Sequence, residues 1–191
     1  SVLKTRVYDL LATSGRPRLS ILICSLYDRD ESLNRLLRIL RRQKTDDVEI
    51  LVNVDDGKIS TGEKRNKLLE RSVGDYIVFV DDDDIVPIDY VKKILIALKT
   101  NPDCCGIEGQ LINRKGKYTF FHSIKYKSWF SERGIYFRSP NHISPVKRTL
   151  ALQIGFKFIT VGEDKDYSAR LLPLLKTEVE IPGILYYYIA G

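Results

Sequence analysis

From residue 19 onward, the apolar positions alternate between short continuous runs and helical stripes. Leu19-Ser20-Ile21-Leu22-Ile23-Cys24 reads as a buried strand. Leu33, Leu36, Leu37 and Leu40 recur at i, i+3, i+4 and i+7, which is one face of a helix. Asp28 and Glu31 stand ahead of that helix at capping-box spacing. Val48 to Val54 predicts a second strand, ending at Asp55-Asp56-Gly57, and Ser60 with Glu63 forms another capping box that opens a helix to about Val73. Tyr76-Ile77-Val78-Phe79-Val80 predicts a third strand, which runs into Asp81-Asp82-Asp83-Asp84. A helix over 88–99 turns Val91, Ile94, Leu95 and Leu98 inward. Residues 1–18, closing on Ser14-Gly15-Arg16-Pro17, read as a leader.

The pattern changes after Thr100. Cys104–Asn113 and Tyr118–Lys127 flank Arg114-Lys115-Gly116-Lys117, a hairpin turn. Residues 128–145 read as loop, Pro145–Ile154 as a short helix, and Gly162-Glu163-Asp164 as the opening of a last helix that ends towards Pro173. Tyr186-Tyr187-Tyr188 reads as strand or packing. The repeated strand–helix order predicts an α/β fold, with a mostly parallel, doubly wound sheet and helices on both faces. The second half is expected to extend the first within a single domain, 1–191. Such sheets bind ligands outside the carboxyl ends of their strands. There the topology gathers Ser25 to Asp28, Asp55-Asp56 and Asp81 to Asp84.

Composition narrows the classes. Of 191 residues, 43% are hydrophobic and 29% charged, enough for a buried core and against disorder. Lys plus Arg is 31 against 25 for Asp plus Glu, a net +6. That excess suits an anionic ligand, a phosphate or a membrane surface, or simply a lysine-rich solvated face. It is too small to argue for nucleic acid. No apolar run approaches the ~20 residues of a membrane-spanning helix, and the start lacks the apolar core of a signal peptide. Cys24, Cys104 and Cys105 are an odd set without CxxC spacing, which points to reduced, structural thiols and a cytoplasmic setting. The absence of methionine, even at position 1, points to a trimmed initiator or a piece of a longer multi-domain chain.

The acidic strand end carries the strongest chemistry. Four consecutive carboxylates repel one another, and a hard divalent cation, Mg²⁺ or Mn²⁺, relieves that conflict. The plain alternative is a solvated acidic turn. Lys64 and Arg65 sit in the first turn of their helix, where cations oppose the helix dipole. An anion at that helix end accounts for both, although side chains that merely reach water also would. Together, the acidic strand end and the basic helix start suggest a metal-bound diphosphate.

These residues, taken as a set, resemble the GT-A glycosyltransferases, above all the inverting family 2. The run Ile77 to Asp84 is similar to that family's DxD motif, and Gly162-Glu163-Asp164 to its ED motif. Ile143 to Arg148, followed by Ile154-Gly155-Phe156, resembles the segment before the ED motif. The resemblance covers about residues 19–172. It implies a nucleotide-sugar-binding half (about 19–100) and an acceptor and catalytic-base half (about 101–191). Ser25, Tyr27 and Asp28 are expected to dock the donor's base, and Asp55 and Asp56 to meet the base or ribose. Asp83 is the expected metal ligand, Asp82 a ribose-side or second ligand, with Asp81 and Asp84 supporting. Asp164 is the expected catalytic base, Asp166 its rival, and Glu163 a ligand for an acceptor hydroxyl. His142 is a candidate for the metal or a phosphate, and Trp129 and Phe130 a stacking platform for the acceptor, with packing as the other reading. The implied reaction moves a sugar, from UDP by default, to a hydroxyl of a glycan or glycoprotein.

The chain lacks QxxRW, so processive polymer synthesis is not expected, and it stops soon after the ED helix. Two other readings stay open. A haloacid-dehalogenase-like phosphatase also ends a strand in DxD, but that strand normally opens its fold, and here two strand–helix units precede it. A nucleotide-binding module without catalysis is the other; the presence of Asp164 speaks against it. Nucleic acid is not an expected partner, because the acids would repel its phosphates.

Overall fold

The computed structural model describes residues 15–191 and the backbone of 6–9. Among the described residues, ten strands and five α-helices follow in the order β1 (Arg6–Asp9), β2 (Leu19–Leu26), α1 (Asp30–Arg41), β3 (Val48–Asp55), α2 (Thr61–Arg71), β4 (Tyr76–Phe79), α3 (Tyr90–Ala97), β5 (Cys104–Asn113), β6 (Gly116–His122), β7 (Phe130–Glu132), β8 (Ile135–Arg138), β9 (Val146–Lys147), α4 (Arg148–Ile154), α5 (Glu163–Leu171) and β10 (Glu178–Ile189). The strands form one sheet in the order β1-β3-β2-β4-β9-β5-β6-β8-β7, with β10 paired to β5 outside that path. β2 runs parallel to both β3 and β4, and β10 parallel to β5, so the parallel core predicted from the strand–helix order is present.

Alternation along β2 sends its side chains to two cores. Leu19, Ile21 and Ile23 pack with Leu33, Leu36, Leu37 and Leu40 of α1 and with Val91 and Ile94 of α3. Leu22, with Ile77 and Phe79 of β4, meets Leu68 and Leu69 of α2, Ala151 of α4, and Tyr167 and Leu171 of α5. Helices therefore cover both faces. Each buried leucine of α1 contributes about 1.5–3 kcal/mol.

Several local expectations are corrected. Part of the supposed leader, Arg6–Asp9, is a strand antiparallel to β3; residues 1–5 and 10–14 lie outside the described residues. The capping box at Asp28 does not form: α1 starts at Asp30, its N-cap Arg29 makes no side-chain cap bond, and Asp28 is exposed in the turn before it. Asp30 and Glu31 in the first turn and Arg38 and Arg41 in the last suit the helix dipole instead. The second capping box does form, with Ser60 Oγ accepting from Glu63 N–H at 3.2 Å. The segment read as loop contains the hairpin β7–β8, whose turn places Arg133 and Gly134 at φ 51° and 76°. Positive φ at both turn residues matches the strand twist, but Arg-Gly is a weaker signal than Asn-Gly. The start of the segment read as helix is strand β9, antiparallel to both β4 and β5. Two residues thereby join the parallel half to the antiparallel half.

Gly62, in the first turn of α2, lies against residues 157–159. A β-carbon there would sit 1.7 Å from the Lys157 carbonyl oxygen, and Gly62 N–H donates to Ile159 O at 3.0 Å. Gly62→Ala is expected to cost about 1–3 kcal/mol of stability by overpacking. Urea unfolding checks this, and an unchanged midpoint would show that the contact yields freely.

Candidate active site

The four aspartates after β4 have four different surroundings. Asp81 lies between a guanidinium and an imidazole: Oδ1 is 3.2 Å from Arg65 Nη2, and Oδ2 is 3.1 Å from His142 Nε2. Burial pushes its carboxyl up, but His142 and then Arg65 outweigh burial and hold it well below the usual carboxylate range. Asp82 is buried, accepting from Ser25 Oγ at 2.6 Å and from Arg29 Nη1 at 2.9 Å. Asp84 is buried too, accepting from Tyr186 OH at 2.6 Å and from Ile189 N–H at 2.8 Å. Burial and the charge of Asp81 push Asp84 up to about 7. Asp83 is the most exposed of the four, with Arg29 Nη1 at 3.5 Å. Its carboxyl is raised by partial burial and by the charges of Asp82 and Asp81.

Lys64 and Arg65 turn inward, onto buried carboxylates. Lys64 Nζ lies 3.3 Å from Asp55 Oδ1, and Arg65 Nη1 lies 2.7 Å from Glu163 Oε1. All four of these residues are buried. The anion that explains two cations in a helix's first turn is thus the protein's own set of carboxylates. Glu163 is taken up by Arg65. Arg65 also lies over the rings of Phe79 and Phe156, at 5.6 and 5.5 Å.

Elsewhere the expected set divides. Asp55 accepts from Gly57 N–H at 2.8 Å, and its buried Oδ2 has no partner among the described residues. Asp56 pairs with the exposed Lys58, at 2.7 Å. Tyr27 packs against the α1 side of the core, and its N–H donates to Asp55 O at 3.0 Å. Trp129 is covered by the Arg138 guanidinium, 4.4 Å from the ring centroid. Phe130 stacks on Phe137 at 4.9 Å. Cys24, Cys104 and Cys105 are free thiols, and burial pushes Cys24 up to about 12.

A cavity of about 190 Å³ opens where these elements meet, lined by Asp81, His142, Asp164, Arg138, His122 and Tyr188 among others. Asp164 reaches it from the start of α5, which Gly162 enters at φ 84°. Asp166 is held elsewhere, 2.7 Å from Lys157 Nζ and 2.5 Å from Arg170 Nη2. Sequence reasoning missed Arg29, Arg138, His122 and the hydroxyl of Tyr186, which accepts from Asp81 N–H at 3.0 Å. The triple tyrosine reads from sequence as strand or packing, and it lies in β10. Nothing in the local spacing marks the other three.

Among the described residues, no group of three or more His, Cys, Asp or Glu side chains is arranged to hold a metal. His142 Nε2, proposed for that role from sequence, is engaged with Asp81.

Residues 60–152 match the Glycosyl transferase family 2 model. The match spans α2, the four aspartates, His142 and β9. No curated protein matches the chain. Among solved structures, S. aureus TarS 1–349 aligns with TM-score 0.69 at 16% identity, over 90% of this chain and 60% of that one. TarS 1–349 in complex with UDP-GlcNAc aligns at 0.68 and 13% identity, over 91% and 59%. The mannosyltransferase PcManGT from Pyrobaculum calidifontis, in complex with GDP-Man and Mn²⁺, aligns at 0.57 and 13% identity, over 94% and 59%. The fold is that of the GT-A glycosyltransferases. The chain spans about 60% of the length of TarS 1–349.

Two expectations follow. Arg65→Met leaves Glu163 and Asp81 without their shared cation and should cost about 3–5 kcal/mol in chemical denaturation, with Glu163→Gln added to it restoring part of the loss. The second concerns pH. Burial, with Arg138 and His142 nearby, pushes His122 from the ordinary 6.5 down to about 3. The folded protein keeps this ring neutral while the unfolded chain takes up a proton, so stability is lost as pH falls from 6.5 towards 3. In His122→Leu, the drop in unfolding free energy between about pH 7 and about pH 5 should shrink relative to wild type.

Proposed function

We propose that this chain is a metal-dependent, inverting glycosyltransferase of hexosyltransferase type. It moves a sugar from a UDP-sugar to a hydroxyl of a glycan or glycoprotein. One observation carries the reading: Asp164, Asp81, His142 and Arg138 line a single cavity at the carboxyl edge of the parallel strands. Asp164 takes the proton from the attacking hydroxyl. Asp166, clamped by Lys157 and Arg170, is not free to do so. One carboxylate base and direct attack invert the anomeric centre. Arg138 has no carboxylate partner among the described residues, so it faces the charge that grows on the departing diphosphate. Lys64 and Arg65 act indirectly, fixing Asp55, Asp81 and Glu163.

The donor set fits Mg²⁺ or Mn²⁺ held in the usual way for a small hard cation, by one or two carboxylates plus substrate phosphates. Asp83, the open carboxylate, would hold it, with Asp81 beside it and His142 orienting Asp81. Bound there, the ion supplies positive charge against the leaving group. The mannosyltransferase complexed with GDP-Man and Mn²⁺ supports both metal and nucleotide-sugar. The finer assignment of the acceptor, a viral capsid glycan made in the host cytoplasm, rests on the sequence's resemblance to the N-terminal glycosyltransferase domain of a chlorella-virus enzyme. The donor and acceptor halves, at about 19–100 and 101–191, belong to the same proposal.

The test compares Asp164→Asn with Asp166→Asn, reading UDP release from UDP-sugars alongside calorimetry of UDP in Mn²⁺ and in EDTA. Asp164→Asn should bind UDP normally and lose transfer by ~10²–10⁴-fold. Asp166→Asn should keep transfer. Wild-type transfer by Asp164→Asn would overturn the base assignment, equal UDP affinity in EDTA would remove the metal, and preference for GDP would replace the donor.

A further inference from the structure

The catalytic edge does not use the basic excess, since its cations are largely paired internally. Three cations line a groove of about 550 Å³ between the end of α1 and the outer face of α3. Arg42, Lys92 and Lys99 line it, and none has an ion-pair partner among the described residues. Its one acidic residue, Asp89, lies 3.4 Å from Lys93. Between these cations stand Ile88, 89% exposed, and Ile96, 53% exposed. The platform is braced: Gln43 Nε2 donates to Pro87 O at 2.9 Å, and its Oε1 accepts from Val91 N–H at 3.0 Å.

We propose that this groove seats the protein on an anionic lipid surface. Single exposed isoleucines are ordinary. Two of them in one groove with three unpaired cations form the mixed apolar and basic surface that binds a headgroup layer, where apolar burial and charge attraction add. Lysine stems can lie along the apolar boundary while their ammonium groups reach lipid phosphates. The proposed attachment is peripheral, made by these side chains at the headgroup layer; no helix among the described residues is long and apolar enough to cross a membrane. An acidic protein would satisfy the cations but would not by itself call for the two isoleucines.

Co-sedimentation of the whole chain with phosphatidylcholine vesicles, with and without phosphatidylglycerol, tests this. Binding is expected only with phosphatidylglycerol and should weaken as salt rises. Lys92→Gln with Lys99→Gln should lower it by roughly tenfold or more. Ile88→Ser with Ile96→Ser should also lower it clearly. Lys115→Gln with Lys117→Gln, at the exposed β5–β6 turn, should leave it unchanged. All six side chains are on the surface, and an unchanged circular dichroism spectrum confirms that each variant folds. Equal binding to neutral vesicles, equal loss from the β5–β6 pair, or wild-type binding by the isoleucine pair would each overturn the proposal. The last result would mean that the cations read a soluble or protein-borne anion.

Discussion

The rest of the structure depends on neutralising four adjacent carboxylates at the end of a buried strand. Like charges so close and so poorly hydrated cannot all stay ionised without partners. The protein gives each its own solution. Arg65 and His142 flank Asp81, Ser25 and Arg29 hold Asp82, and the Tyr186 hydroxyl and a backbone N–H hold Asp84. Asp83 remains open. Of a run of four identical residues, three are held by partners from distant elements and Asp83 is the exposed one.

Arg65 extends this constraint across the molecule. It joins Asp81, after β4, to Glu163, at the start of α5, 98 residues away from it in sequence. The residue after Glu163 is Asp164, so the ion pair that neutralises the strand end also sets where the proposed base enters the cavity. Gly62 acts in the same direction, bringing the first turn of α2 against the segment that leads into α5. Tyr186 ties β10 back to Asp81 and Asp84, so the last strand braces the first half's acids. The two halves of the chain are coupled through charge and close backbone approach as much as through apolar packing.

Long, strongly patterned elements were legible in the sequence. The leucine stripe of α1, the buried strands β2 to β4, the Ser60 cap and the opening of α5 at Gly162 all follow from local spacing, and the structure has them. The elements misread are those with weak local signals. β9 is two residues long and exists because β4 and β5 stand on either side of it. β1 adds to the edge of β3. The β7–β8 turn uses an arginine at positive φ, which its propensity does not announce.

The candidate site divides the same way. The sequence alone determined which kinds of residue gather at the carboxyl edge, because strand ends converge there whatever the side chains do. Tertiary structure decided which of them are free. Asp28 is exposed, Asp56 pairs with Lys58, Lys64, Arg65 and Glu163 are consumed in buried pairs, and Arg138, from a strand read as loop, joins Asp164 at the cavity. The physical reason is that a charged group's role is set by its partners in space. Those partners come from distant elements: Arg65 and Glu163, Ser25 and Asp82, Asp84 and Tyr186. Periodicity reports which face of its own element a residue occupies, and it carries no information about what lies opposite that face.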